Sequence, residues 1–339
     1  MRIAIDAMGG DYAPESIVAG ALDSLEILNG KHNLLLVGDK PRIEELLSKH
    51  GVGQSDVMSI HHASEVVGMD ESPSITLRKK KNSSIAVCAS LAKSGEVDAL
   101  LSAGNTGAVV AATKLRLRFL KGVERPAIAT PIPTADGVAL MLDAGANVDS
   151  KPHNLLQFAA MGSAYSKYIL GKDNPRVGLL SIGEEPTKGN DLTKETFKLL
   201  ESSPLNFMGN IEGRDIFYNK VDVIVTDGFV GNIVLKVIES MPYLFKNVVL
   251  REIKKNLLAQ IGALLLQPAL KKFVKQGDYA EYGGAPLLGV DGICIICHGS
   301  SSPKAIKNAI RLAVELSKFE INKHIEEIIE KLSFHKVIN

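Results

Sequence analysis

The feature that most constrains this chain is a repeated alternation. Short runs of Val, Ile and Leu each end in a turn rich in Gly, Asp, Asn or Ser, and a helical pattern follows each turn. Residues 2–7 read as a buried strand, and after a glycine-rich loop Pro14 suits the first position of a helix reaching about residue 28. Residues 34–37 form a second such run, Pro41 opens another helix, and further strands are expected at 57–61 and 97–102, the last followed by a helix from about Thr106. Strands buried on both faces and joined by helices predict an α/β fold with three α/β/α layers and a mostly parallel sheet.

The later part keeps the rhythm with one interruption. Residues 127–131 and 137–142 flank the turn-like Pro133-Thr134-Ala135-Asp136, which predicts an antiparallel hairpin or a junction between lobes. Buried strands are expected at 177–182 and 221–226, and one late central strand at 289–297. Ser302-Pro303 supplies the cap and first-turn proline of the last helix, with an apolar stripe at Ile306, Ala309, Ile310, Ala313 and Leu316. No repeat or low-complexity linker divides the 339 residues, so a single unit, of one lobe or two, is expected.

Several classes are disfavoured by composition. Net charge is +1, aromatic residues make up 5% and Trp is absent, which argues against a nucleic-acid partner. Asp6 falls where an export signal would need its apolar core, and no run of about 18 apolar residues exists, so a cytoplasmic chain is expected.

The expected strand ends share their chemistry. They carry Asp6-Ala7-Met8-Gly9-Gly10-Asp11, Ser102-Ala103-Gly104-Asn105-Thr106-Gly107, Asp143-Ala144-Gly145-Ala146-Asn147, Ile182 to Asn190 with Glu184, Lys188 and Gly189, Thr226-Asp227-Gly228-Phe229-Val230-Gly231-Asn232, and His298-Gly299-Ser300-Ser301. Turns need Gly and Asn for backbone reasons alone. Six such loops on one edge, however, would present backbone N–H groups, small donors and helix N-termini to an oxyanion such as phosphate. No GxGxxG follows a strand, and Lys188 does not stand in GxxxxGK[ST] order, so nucleotide fingerprints are missing.

Cys294-Ile295-Ile296-Cys297-His298 matches a haem-attachment string. On a strand, residues three apart point to opposite faces, so the two thiols diverge, and haem, disulfide and zinc readings all weaken. His50, His61 and His62 are read as surface or edge residues. Residues 257–270 are almost wholly apolar, with Leu264 and Leu265 at the centre, Lys254 and Lys255 before them, and Lys271, Lys272 and Lys275 after. A helical apolar-basic projection near 240–280 is expected, broken or bent at Pro268. It would suit a dimer contact, an anionic membrane surface or an acidic partner; the alternative is a buried helix with snorkelling lysines.

Taken in order, IAIDAMGGDYAPE, SAGNTGA, LDAGAN, SIGEE with KGN, TDGFVGN, EYGGAPLLGV and HGSS resemble the phosphate acyltransferase family of bacterial phospholipid synthesis over nearly the whole chain. Cys297, where that family has other small residues, is a small departure. The resemblance implies a fold similar to the isocitrate and isopropylmalate dehydrogenases and the phosphotransacetylases, a homodimer, and no metal or other cofactor. It implies transfer of an acyl group from acyl carrier protein to inorganic phosphate, with the acyl phosphate passing to a membrane acyltransferase that acts on glycerol 3-phosphate. It also implies peripheral membrane association. On this basis Lys188, His298 and Asn232 are the expected catalytic residues. Asp6, Gly9, Gly10, Asp11, Gly104, Asn105, Thr106, Gly107, Asn147, Glu184, Gly189, Asp227, Gly228, Gly283, Gly284, Gly299 and Ser300 are the expected phosphate or substrate contacts. Lys254, Lys255, Leu264, Leu265, Lys271, Lys272 and Lys275 are the expected carrier-protein or membrane contacts. A phosphotransacetylase acting on acyl-coenzyme A and a non-catalytic carrier-binding protein are the alternatives.

Overall fold

The computed structural model describes residues 1–28, 30–53, 55, 57–276 and 279–338. The chain opens with β1 (Arg2–Asp6), α1 (Glu15–Leu28), β2 (Asn33–Gly38), α2 (Lys40–Lys49) and β3 (Met58–His62). Two helices absent from the sequence expectation, α3 (Pro73–Lys79) and α4 (Ser84–Lys93), precede β4 (Ala99–Ser102) and α5 (Thr106–Arg116). Then come β5 (Ala127–Ile128), β6 (Thr130–Thr134), β7 (Gly137–Leu142), α6 (Pro152–Tyr168), β8 (Val177–Leu180), α7 (Asp191–Glu201), β9 (Phe207–Ile211) and β10 (Val223–Val225). Two long helices, α8 (Gly228–Lys254) and α9 (Leu257–Gln276), lead to α10 (Tyr279–Tyr282), β11 (Ala285–Leu288), β12 (Ile293–Ile296), α11 (Pro303–Lys318) and α12 (Ile321–Ile338).

The strands form two sheets rather than one. A 7-stranded sheet has the order β3-β2-β1-β4-β12-β11-β5, and a 5-stranded sheet has β6-β7-β10-β8-β9. Four successive pairs of the first sheet, β3 to β12, are parallel, and β11 and β5 add an antiparallel edge. The segment 127–142 is both things the sequence suggested. β6 and β7 pair as an antiparallel hairpin, and the chain changes sheets at Ala129, between β5 and β6. The late run at 289–297 is corrected. Gly289 and Gly292 take φ of +90° and +141°, so a turn separates β11 from β12 and the strand proper begins at Ile293.

Period-two alternation sorts each strand between two apolar layers. Ile3, Ile5 and Leu101 face α1 and α11 through Ile17, Val18, Ile306 and Ile310, whereas Ala4 and Leu100 face α4 and α5 through Ile85, Ala89, Val109 and Ala112. Each fully buried Ile or Leu contributes about 1.5–3 kcal/mol through removal from water. Both layers continue into the second sheet, Leu140 and Leu142 in one and Met141 and Ile224 in the other. Helix α6 is buried almost all round. It packs on β7 and β10 of the second sheet and on α12, which follows the first. The α11 stripe expected from the sequence is buried throughout.

Helix α9 contrasts with this. Leu257, Leu258, Leu264 and Leu265 are 72%, 77%, 68% and 77% exposed, which overturns the reading as a buried helix. It packs on α8, and it continues through Pro268 rather than ending there. Pro268 is exposed, so water can take the carbonyl that the ring deprives of its donor. Lys254 and Lys255 are exposed at the α8 end, Lys255 pairing with Glu252 at 2.8 Å; the side chains of Lys271, Lys272 and Lys275 lie outside the described residues. Among the described residues no helix is long and apolar enough to cross a membrane.

Candidate active site at the carboxyl edge of the first sheet

Chain direction reverses its progress across the first sheet at β1. Strands β2 and β3 lie to one side of it, and β4 and β12 to the other. In open parallel sheets the crevice beyond the carboxyl ends at such a switch point is where ligands bind. Here it is flanked by the loops after β1, β4 and β12, and helices α1, α5 and α11 start from those loops. Their N-termini place positive potential on one edge.

The backbones at the switch point touch. A Cβ on Gly9 would stand 2.6 Å from Asp6 Oδ2 and 2.8 Å from the Gly104 nitrogen, and one on Gly10, whose φ is +115°, would stand 3.0 Å from the Gly299 carbonyl oxygen. No side chain fits between these loops. Asp6 lies beneath them, fully buried. Its carboxylate accepts from the Ser102 hydroxyl at 2.7 Å and the Met8 N–H at 3.2 Å, and the same Ser102 oxygen accepts from the Gly104 N–H at 3.1 Å. Burial pushes the Asp6 pKa up, while these donors pull the other way. Asp6 therefore shapes the loops and does not reach a ligand.

The exposed groups sit above that floor. Asp11 is held by its N–H to the Gly299 carbonyl at 2.8 Å, with its side chain exposed, as is that of Thr106. His298 is exposed and Nδ1 accepts from the Ser300 N–H at 3.2 Å, with the Ser300 hydroxyl 2.8 Å away. Because Nδ1 accepts, the neutral ring carries its hydrogen on Nε2. The adjacent Ser301 hydroxyl, indistinguishable from Ser300 in the sequence pattern, is buried without a hydrogen-bond partner among the described residues.

Other expected contacts are occupied by structure. Asn105 caps α5 by accepting from the Ala108 N–H at 3.0 Å and donates to the Met69 carbonyl at 2.7 Å. Gly107 and Gly299 are kept small by the segment 66–73. A Cβ on Gly107 would stand 2.8 Å from Pro73 Cγ, and one on Gly299 would stand 2.9 Å from Met69 Cε. Gly283 and Gly284 lie against Asn308 and Ala309 of α11 and against Ile295 of β12, so close packing accounts for both.

The remaining loops belong to the second sheet, which corrects the single-edge expectation. Asp143 accepts five hydrogen bonds: from the N–H groups of Ile128, Gly145 and Ala146 on Oδ1, and from the Asn147 N–H and side-chain amide on Oδ2, at 2.8–3.1 Å. Ile128 lies in β5, so this carboxylate clasps the two sheets together. Asn147 is buried, donates also to the Pro126 carbonyl at 2.7 Å and accepts from Lys114 at 3.0 Å. Both of its side-chain amide hydrogens are thus committed within the fold, so it has no donor left for a ligand. Burial lowers the Lys114 pKa, with Arg125 adding to the effect. Asp227 caps α8 through the Phe229 and Val230 N–H groups at 2.9 and 3.0 Å, and Gly228 packs against the Asn147 carbonyl. Glu184 pairs with Lys220 at 2.9 Å. Gly189, with φ +104°, packs against Thr193.

Lys188 and Asn232 are exposed on this second edge, Asn232 beside Gly145. Among the described residues no hydrogen bond or ion pair joins Lys188 to a loop of the first sheet. From Asn105 to Lys114, α5 spans about 13 Å at 1.5 Å per residue, which sets the scale between the two loop sets.

Cys294 and Cys297 fall in opposite apolar layers, as strand geometry requires. Burial pushes the Cys294 thiol up to about 12 and that of Cys297 higher still, so neither is a thiolate at neutral pH. Among the described residues no cluster of His, Cys, Asp and Glu has the makings of a metal site.

Known proteins carry the same pattern. A family model described as fatty acid synthesis protein matches residues 1–324. A phosphate acyltransferase of Heliobacterium modesticaldum is 55% identical over 92% of this chain and 93% of its own, and one of Pelotomaculum thermopropionicum is 52% identical over 98% and 96%. Among solved structures, a phosphotransacetylase from Streptococcus pyogenes superposes with a TM-score of 0.58 at 15% identity, covering 97% of this chain and 94% of that one. A 4-hydroxythreonine-4-phosphate dehydrogenase from Klebsiella pneumoniae gives 0.51 at 13% identity, covering 93% and 99%. These two likenesses establish the fold. The full-length identities establish more: the chain belongs to the phosphate acyltransferase family.

Proposed function

We propose that the protein transfers a fatty acyl group from acyl carrier protein to inorganic phosphate, releasing acyl phosphate and the free carrier. The observation that carries this is the convergence of the β1, β4 and β12 loops, with three helix N-termini, on the switch point of the first sheet. That edge suits a phosphate dianion beside an acyl thioester. A phosphate oxygen attacks the thioester carbonyl, the C–O bond forms, the C–S bond breaks, and the carrier's sulfur leaves as the thiolate, which takes a proton from water. No covalent enzyme intermediate is needed, because phosphate is nucleophilic at neutral pH, so positioning and charge stabilisation dominate.

The backbone amides of Gly10 and Gly107, with Thr106 and Ser300, hold phosphate in this scheme, and His298 Nε2–H donates a hydrogen bond to the departing sulfur as its negative charge develops. Lys188 and Asn232 act from the second edge, which must close on the bound substrate to bring the ammonium near the phosphate. The exposed leucines of α9, with Lys254 and Lys255 nearby, form the surface proposed for the acidic carrier protein, an anionic membrane face or the second subunit of a homodimer. The acyl phosphate would then serve a membrane acyltransferase acting on glycerol 3-phosphate.

The test is phosphate-dependent release of free carrier protein from palmitoyl-carrier protein, with palmitoyl- and acetyl-coenzyme A alongside. Release from the carrier alone, with acyl phosphate formed, is the expected result. Turnover of acetyl-coenzyme A instead would make the protein a phosphotransacetylase, and no turnover of any donor would overturn catalysis.

A further inference from the structure

The segment between β3 and α3 crosses the carboxyl edge of the first sheet, and it is fastened at several points. Glu65 bridges to Ser83 and accepts from the Asn82 N–H at 2.9 Å. The Lys80 ammonium donates to the Val66 carbonyl at 2.8 Å and pairs with Glu71. Asn105, the cap of α5, holds the Met69 carbonyl at 2.7 Å. Polar bonds thus fix a backbone that carries apolar side chains outward: Val66 is 38% exposed and Met69 43%. The Met69 methyl lies over Gly299, in the turn that bears His298, near the Asp11 carboxylate. On an edge built mostly of amides, hydroxyls and carboxylates, with Tyr12 and Val66 also exposed, a thioether carried on a fastened backbone calls for an apolar ligand group beside the anion.

We propose that Met69 is a specificity-determining residue that packs on the first methylenes of the acyl chain, next to the carbonyl attacked by phosphate. This rests on the acyl-transfer reading above. A long unbranched thioether adapts to a flexible alkyl chain without imposing one shape, and its contact is worth more to substrates that have methylenes to place there. Segment 66–71 therefore favours fatty acyl over acetyl donors, at a site separate from the surface that recognises the carrier.

The experiment compares wild type, Met69→Gln and Met69→Leu with palmitoyl-, butyryl- and acetyl-carrier protein, at saturating phosphate. Gln keeps the length and removes the apolar contact. Met69→Gln is expected to lower kcat/KM about tenfold for palmitoyl and butyryl donors and less than about twofold for acetyl, with the KM for phosphate unchanged; Met69→Leu stays within about threefold throughout. Equal losses across all three donors, or no loss, would overturn the proposal. Binding of carrier protein bearing a non-transferable S-hexadecyl or S-ethyl thioether, followed calorimetrically, separates this idea from the reaction itself. A wild type that transfers nothing yet prefers the hexadecyl form, a preference lost in Met69→Gln, sustains the chain contact and sinks acyl transfer. A preference that Met69→Gln retains sinks the chain contact.

Discussion

After β4, the string Gly104-Asn105-Thr106-Gly107 opens a helix and leaves Thr106 facing solvent; after β7, the similar string Asp143-Ala144-Gly145-Ala146-Asn147 closes on itself around one carboxylate. Both sit at the carboxyl end of a parallel strand, and both are rich in Gly, Ala and Asn. The difference lies in where the acid stands. Asp6 and its partner Ser102 take the Met8 and Gly104 N–H groups at 3.2 and 3.1 Å, and the Gly10 and Gly107 N–H groups have no partner among the described residues. Asp143 begins its own loop, so the amides turn inward and are consumed. A carboxylate at the root of a glycine loop therefore consumes the amides that directly follow it, and the donors left open are those on loops it does not reach.

His298→Ala tests the open side and carries the largest expected effect. Loss of the proposed hydrogen bond to the leaving sulfur should lower kcat by about 100- to 1000-fold while leaving the melting temperature unchanged, because the ring is exposed. A loss under about threefold would remove His298 from the mechanism. Asp143→Asn tests the closed side. Either orientation of the new amide sets its NH2 against at least two N–H donors, so stability to urea should fall by about 2–4 kcal/mol. An unchanged unfolding midpoint would show that the clasp is not what joins the sheets.

The smallest effect belongs to Asp222, at the amino end of β10. Burial alone would raise its pKa, but Arg176, bonded through both guanidinium and backbone N–H, and Lys172 hold it below the usual carboxylate value. A carboxyl depressed on folding contributes stability above its unfolded pKa of about 4 and loses it as pH falls through the folded value. Asp222→Asn should thus cost about 1 kcal/mol at pH 7, discounted for the partly exposed cations, and the gap from wild type should narrow below about pH 4. A gap independent of pH would assign the effect to packing.

The parallel strands, their order of appearance and the start of the last long amphipathic helix were legible because each depends on local pattern: buried β runs, prolines at helix starts, Ser302 as a cap. The division into two sheets was not. The loops after β4 and β7 have the same composition, and strand pairing is set by contacts distant in sequence. Asn147 was misread for that reason, since only the fold shows Pro126, Asp143 and Lys114 converging on it. The segment at residue 69 escaped notice because nothing in its sequence shows that Asn105 and Lys80 hold it over His298. Pro268 marked a break that a solvent-exposed helix does not need.

The sheet order also bears on how the protein is made. β12 lies beside β4 although about 190 residues separate them, and everything from β6 to β10 is assembled in between. A nascent chain can build the β1 and β4 loops early, but the turn bearing His298 is made only after β12. A chain cut before β12 would carry the β1 and β4 loops without the turn that bears His298, so the candidate site is complete only once β12 has docked beside β4.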